Sequence, residues 1–158
     1  MGRVEDLRQI AALARYFLGA FTNVGGVAPD VARIHQVFVP QGLIIKSTGD
    51  APEIYSLQAF IEPRERLLTE GGLLDFEEVE VSARTELFGN IAQRWCVYRK
   101  SGLLDGERFE TLGMKTLQLV RTPQGWKIAS LAWDDERPGL CLADAASQAR
   151  PSPDIGPP

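Results

Sequence analysis

FEEVEVSARTELFGNIAQRWCVYRK, residues 76–100, decides how this chain folds. Val79, Val81 and Ala83 alternate with polar neighbours, the period of a strand. Gly89-Asn90 is a two-residue turn of the hairpin kind, so 91–100 returns antiparallel to 76–88. Outward from that hairpin, 101–106 reads as loop and 108–120 as another long strand. The tetrad Thr122-Pro123-Gln124-Gly125 turns the chain again, and 126–133 is the last strand. Before the hairpin the period is helical. Leu7, Ile10, Ala14, Phe17 and Phe21 recur at steps of three and four, one face of an amphipathic helix over about 4–22 that stops near Gly25-Gly26. Asp30 is placed to cap a second short helix over 31–38, ended by Pro40. Then come a short strand at 43–46, a loop over 47–53, and a third helix from about Ser56, bent or restarted at Pro63 and closed by Gly71-Gly72.

Helices followed by long antiparallel strands is an α+β order, with helices covering one face of a curved sheet. The domain occupies 1–138. Residues 139–158 are rich in Pro and Ala, and Pro151, Pro153, Pro157 and Pro158 forbid a regular element there, which predicts a mobile tail. With 158 residues and 44% hydrophobic content the chain has the size and composition of one soluble domain. Seventeen basic residues against 21 acidic ones leave a net charge of −4, too little positive charge to displace counterions from a nucleic acid. No stretch approaches the roughly 18 apolar residues of a spanning helix. The start carries Glu5 and Asp6 and no apolar run, which argues against a signal peptide. Cys96 and Cys141 make no disulfide framework, and a cytoplasmic location is expected. No glycine-rich phosphate loop, Gly-x-Ser-x-Gly elbow or other cofactor motif is present, so no cofactor is expected. One histidine and no cysteine pair make a transition-metal site an unfavourable reading.

Three segments carry a family resemblance. They are FLGAFTNVGG (17–26) at the end of the first helix, VFVPQGLII (37–45) at a helix-to-strand junction, and the closing TPQGWKIASLAWDDE (122–136). Together they resemble the nuclear transport factor 2-like superfamily, the cystatin-like α+β cones, over about 4–136. The resemblance implies a ligand held inside the cone, between sheet and helices, and a homodimer paired through the sheets. It does not imply one activity, because the superfamily spans isomerases, dehydratases, polyketide cyclases and transport adaptors. Its steroid isomerases use a tyrosine on the first helix, a carboxylate base on the first strand and an acid on a later strand. Matched onto this chain, those places fall on Phe17, Lys46 and Lys115. Tyr16 lies opposite the apolar stripe of its helix. A phenylalanine and two lysines cannot perform that proton shuttle, so steroid isomerisation is rejected.

The cations that stand there suggest something else. Lys115 shares a strand face with Phe109, Leu117 and Leu119 and should point inward. Arg94 has two readings. The superfamily register turns it inward with Ala92, Cys96 and Tyr98, where it would meet Lys46 and Lys115 around an anion. Hydrophobicity would instead bury Ile91, Trp95 and Val97 and leave Arg94 in solvent. His35, the sole histidine, borders the apolar stripe of the second helix and is the candidate for proton transfer; its plain alternative is a ring packed at the core edge. Tyr55 and Phe60 are placed near the mouth. Trp126 and Trp133 are seven apart, so one should face inward and the other an interface. Asp134, Asp135 and Glu136 read as a solvated strand end, and Cys96 as an inert buried thiol. Gln93, Trp95, Val97 and Thr116 form a mixed outer surface suited to a second copy of the chain.

Two function classes follow. One is a small-molecule-binding cone, a cofactor-independent isomerase-, cyclase- or dehydratase-like enzyme for a small acidic ligand, with Arg94, Lys115, Lys46, Tyr98, Phe17, Tyr55, Phe60 and Trp133 around it. The other is a non-catalytic dimeric interaction module, with a purely structural dimer as its limiting case.

Overall fold

Long strands need a cover for their apolar face, and the helices supply it. In the computed structural model, which describes residues 2–142, helix α1 (Arg3–Gly19) is followed by two short 3-10 helices, Val24–Gly26 and Val31–Gln36. Strands β1 (Phe38–Lys46) and β2 (Glu53–Ser56) then lead into helix α2 (Leu57–Thr69). Four strands complete the chain: β3 (Leu73–Phe88), β4 (Ile91–Leu104), β5 (Glu107–Thr122) and β6 (Gly125–Asp135). They form one six-stranded sheet in the order β2-β1-β6-β5-β4-β3. The β1–β6 pair is parallel and the other pairs are antiparallel. The α+β architecture expected from the sequence is the one observed. Among the described residues no helix is long and apolar enough to cross a membrane. The expected tail, 139–158, lies outside the described residues from 143 onward.

The α1 stripe buries Ile10, Ala14, Phe17 and Phe21 as its spacing requires. Tyr16, on the other side, reaches the Gln36 side chain instead. Each large apolar side chain so buried contributes roughly 1.5–3 kcal/mol. Helix α2 starts where the Ser56 hydroxyl accepts from the Ala59 amide at 3.3 Å. It runs on through Pro63 and presents Leu57, Phe60, Ile61 and Leu68 to the core.

Four local readings change. The loop read over 101–106 shrinks to Asp105-Gly106, because β4 runs on to Leu104 and β5 starts at Glu107. The segment 31–38 is a 3-10 helix that stops at Gln36, and Phe38 already belongs to β1. Pro40 therefore sits inside a strand rather than ending a helix. It is tolerated because β1 bows away there: the stretch from Phe38 to Leu43 covers only Ile128 to Ser130 on β6, so the missing N–H breaks no ladder. The loop predicted over 47–53 gives way at Glu53 to the short edge strand β2.

Parity is altered by bulges. Register slips between Leu74 and Glu77, where Asp75 takes a positive φ of 46°, and again between Glu80 and Ser82. As a result Leu73 and Phe76 are buried, whereas Val79 and Val81 are exposed. The alternation that revealed the strand thus belongs to its outer face, and Glu78 and Glu80 point in. On β6 a slip at the Gln118–Leu119 step of β5 skips Ala129. That extra residue cancels the odd spacing of Trp126 and Trp133, and both are buried.

Two polar staples fasten the helices to the sheet. Asn23 donates to the carbonyls of Leu68 and Leu73 at 3.0 and 2.8 Å and accepts from the Phe76 amide at 2.7 Å. Asp6, 3% exposed on α1, accepts from both Arg121 nitrogens at 2.8 and 2.9 Å and from the Trp126 indole at 3.0 Å. The Arg121 and Trp126 hydrogen bonds hold its carboxyl down at about 2, against an ordinary 3.8. A carboxyl with a lowered folded-state pKa stabilises above its unfolded value and loses that contribution as pH falls through the folded one. Thermal melts from pH 5 to pH 2 should therefore show a decline between about 4 and about 2 that is shallower in Asp6→Asn. Equal slopes would show that the staple does not hold.

Candidate active site

The concave side of the sheet and the two α-helices enclose a hollow of about 290 Å³, at the small end of ligand pockets. Its body is apolar. Phe17 and Phe21 come from α1, Phe60 from α2, Phe76 from β3, Phe109 from β5 and Trp133 from β6. Edge-to-face contacts tie three of these rings together: Phe21–Phe60 at 5.9 Å and Phe60–Trp133 at 6.0 Å between centroids.

The polar groups form three sets. Lys115, 4% exposed, meets Glu78 at 3.3 Å and lies 3.8 Å from the Tyr98 ring centroid and 5.2 Å from that of Trp133. Burial pushes its amine below the ordinary lysine value, and Lys100 adds to this while Glu78 opposes it. Lys100 bonds Asp135 at 2.8 Å, and the other Asp135 oxygen takes the Tyr98 hydroxyl. Burial, then the Asp135 bond, pushes the Tyr98 phenol far up, so it stays a donor. The Tyr98 ring passes over Gly113, where any Cβ would strike the hydroxyl and the Asp134 carbonyl. Arg64 and Lys46 make the third set. The Arg64 guanidinium stacks 5.1 Å from the Phe60 centroid and 5.7 Å from that of Trp133. Among the described residues no carboxylate lies within ion-pair distance of it. Among the described residues Lys46 has only an exposed, loose contact, with Glu53 at 3.7 Å.

The fold that encloses this hollow recurs in solved proteins as a shape rather than as a sequence. No protein-family model matches the chain and no curated protein sequence matches it. A nuclear transport factor 2-like protein with a cystatin-like fold from Novosphingobium aromaticivorans is 20% identical, with a TM-score of 0.64 over 92% of this chain and 88% of that one. A nuclear transport factor 2-like superfamily protein from Salmonella enterica serovar Typhimurium is 14% identical, with a TM-score of 0.69 over 84% and 92%. The chain has the nuclear transport factor 2-like fold. A third neighbour with this fold, also from Novosphingobium aromaticivorans and named provisionally as an aromatic ring hydroxylase, is 17% identical, with a TM-score of 0.70 over 87% and 94%.

Within this nuclear transport factor 2-like cone, Phe17, Lys46, Phe60, Lys115 and Trp133 line the hollow. Four other sequence candidates do not. Arg94 is inward and 7% exposed, the first of its two readings, but it does not converge with Lys46 and Lys115. It is held deeper in the sheet by Glu80 at 2.6 and 3.2 Å and by the Thr85 hydroxyl at 2.7 Å. Tyr98 is wholly buried beneath Lys115. Tyr55 packs against Phe60, 6.0 Å between centroids, and does not line the hollow. His35 is exposed on its 3-10 helix and away from the hollow, so it has no place from which to move a ligand proton. Asp135 is no solvated strand end: its side chain is mostly buried and shared by Tyr98 and Lys100. Cys96 is buried, and its thiol is pushed up by burial and by Glu80, which fits an inert role.

Sequence reasoning missed Arg64, Glu78 and Lys100. Arg64 was within reach, since it follows Phe60 by four on one helix and so shares its face. Glu78 was not, because the bulges that turn it inward leave no mark on the hydrophobic pattern.

Proposed function

We propose that the cone binds a small, largely apolar molecule carrying an acidic group, its body against Phe60 and Trp133 and its acid on Arg64. One observation carries this reading: Arg64 lines an aromatic hollow, and among the described residues no carboxylate stands close enough to neutralise it. A planar guanidinium stacked on rings is pre-organised to take a carboxylate through two parallel bonds, and Lys46 adds positive charge alongside. The Lys115–Glu78 pair at the same wall would serve proton transfer of the isomerase, cyclase or dehydratase type, which calls for no cofactor. The neighbour named for aromatic ring hydroxylation is alike in fold; the aromatic lining here is what favours a ring-bearing ligand. Native mass spectrometry of the chain with benzoate, phenylacetate and cinnamate, against their primary amides, tests this. Acids should bind in preference to amides, and Arg64→Gln should weaken them by about 10- to 100-fold, the worth of one charged hydrogen-bonded contact. Equal binding of acids and amides would overturn it.

A second reading concerns the outer face of the sheet. Trp95 and Val81 are 41% and 49% exposed there, and Ile91, Val79 and Phe88 lie exposed with them. Large apolar side chains exposed together on one sheet face mark an interaction surface, and a second copy of the chain paired sheet to sheet is the occupant we infer. The non-catalytic module foreseen from the sequence would use this face. Sedimentation velocity should give a dimer that Trp95→Lys converts to monomer; a monomeric wild type would contradict it.

A further inference from the structure

The proposed pocket places an unusual amine. Only four lysines occur in the sequence, Lys46, Lys100, Lys115 and Lys127, and Lys115 alone is fully inside the protein. Its stem rises from the centre of β5, so the nitrogen is held rather than sweeping through solvent. Aromatic faces flank it at 3.8 and 5.2 Å, and a single carboxylate, Glu78, stands 3.3 Å away on β3. Both Lys115 and Glu78 line the hollow. An amine that burial strips of part of its hold on a proton, with one acid–base partner in reach and an apolar chamber in front, has the features of a lysine that attacks carbonyl carbon. A lysine serving only to neutralise Glu78 would need neither the chamber nor the rings.

We propose that Lys115 forms an imine with an aldehyde or ketone ligand, with Glu78 carrying the protons. The inference rests on the pocket reading and narrows its ligand to an oxo acid: carbonyl at Lys115, acid at Arg64. Both cations lie beside the same indole, 5.2 and 5.7 Å from the Trp133 centroid, so one small molecule spans them.

The step balances without an oxidant, a reductant or a metal. Lys115 passes one proton to Glu78 and its lone pair attacks the carbonyl carbon. The carbonyl π pair moves to oxygen, which takes that proton back from Glu78. Glu78 next removes a proton from the new C–N nitrogen and returns it to the hydroxyl, which leaves as water while the nitrogen pair closes C=N. One carbonyl and one ammonium become one protonated imine and one water, with the charge unchanged. The Tyr98 hydroxyl, fixed on Asp135, takes no part; its ring is the floor under the amine.

The test treats full-length protein with 4-formylbenzoate, and separately with the neutral benzaldehyde, in the presence of borohydride. Intact mass and peptide mapping then read the adduct. Reduced adduct should appear on Lys115 in excess over Lys46, Lys100 and Lys127 by about tenfold or more, because a desolvated amine is more often the free base. Lys115→Arg keeps a cation opposite Glu78 and should leave only the background adduct of the other three lysines while circular dichroism stays that of wild type. Glu78→Gln should slow trapping. Arg64→Gln should lose the advantage of 4-formylbenzoate over benzaldehyde, read as the ratio of the two trapping yields. Trapping spread evenly over the four lysines, or a total yield undiminished in Lys115→Arg, overturns the imine. If 4-formylbenzoate binds without reacting, the imine fails and the acid-binding pocket stands; if acids do not bind but benzaldehyde is trapped at Lys115, the pocket's acid preference fails and the imine stands.

Discussion

Glu80→Ala is expected to lower folding stability by about 3–5 kcal/mol, with a fall in Tm of the order of 10 °C for a domain of this size. Its carboxylate holds Arg94 at 2.6 and 3.2 Å, where the arginine side chain is only 8% exposed. A guanidinium does not give up its proton inside a protein, so removal of Glu80 leaves a charge that can neither ionise away nor reach water. Thr85 still accepts one bond, but a hydroxyl does not neutralise. The double variant Glu80→Leu with Arg94→Met removes both charges and should recover most of the loss, since well-packed apolar replacements of buried pairs are often neutral. Denaturant melts of the three proteins and wild type check this. A single variant within about 0.5 kcal/mol of wild type, the range of an ordinary surface substitution, would show that the pair is not buried in solution.

Glu78→Ala offers a matched contrast two residues away. It strands Lys115, which is at least as buried as Arg94, yet a lysine has an escape that an arginine lacks. Once Glu78 no longer opposes desolvation, the amine can be held neutral. The cost at neutral pH should therefore fall below that of Glu80→Ala, under about 3 kcal/mol. Its pH dependence follows from linkage. The folded variant binds fewer protons at Lys115 than the unfolded chain between the lowered pKa and the ordinary 10.5, so its stability rises with pH through that window. Melts of Glu78→Ala and wild type should converge as pH climbs from 7 toward 10, while Glu80→Ala should keep its deficit. A pH-independent gap for Glu78→Ala would show that Lys115 stays charged without its partner.

The contrast also shows which parts of this molecule its sequence displays. Helix faces and strand periods come from burial of many side chains at once, so the α1 stripe and the hairpin around Gly89-Asn90 are legible, and with them the cone. What a strand points inward depends on single-residue slips. Bulges at Asp75, Val81 and Ala129 shift parity in three places. They put Glu78 and Glu80 inside and bring both Trp126 and Trp133 into the core, and no composition signal marks them. Arg94 shows the other limit. Its direction stood open between two readings, and whether it meets a ligand or an acid of its own chain depended on Glu80, which the hydrophobic pattern had assigned no side. His35 fails for a simpler reason: a 3-10 turn rotates its stripe away from the helical wheel on which it was placed.

The central claim is that the hollow takes an acid at Arg64 against the Phe60–Trp133 rings. A crystal structure of the protein grown with the tightest acid from the ligand series tests it most directly. A carboxylate bonded to the Arg64 guanidinium, with the ligand body lying on Trp133, is the expected result. Density for the acid on the outer surface, with the hollow filled by solvent or by the protein's own side chains, would contradict it.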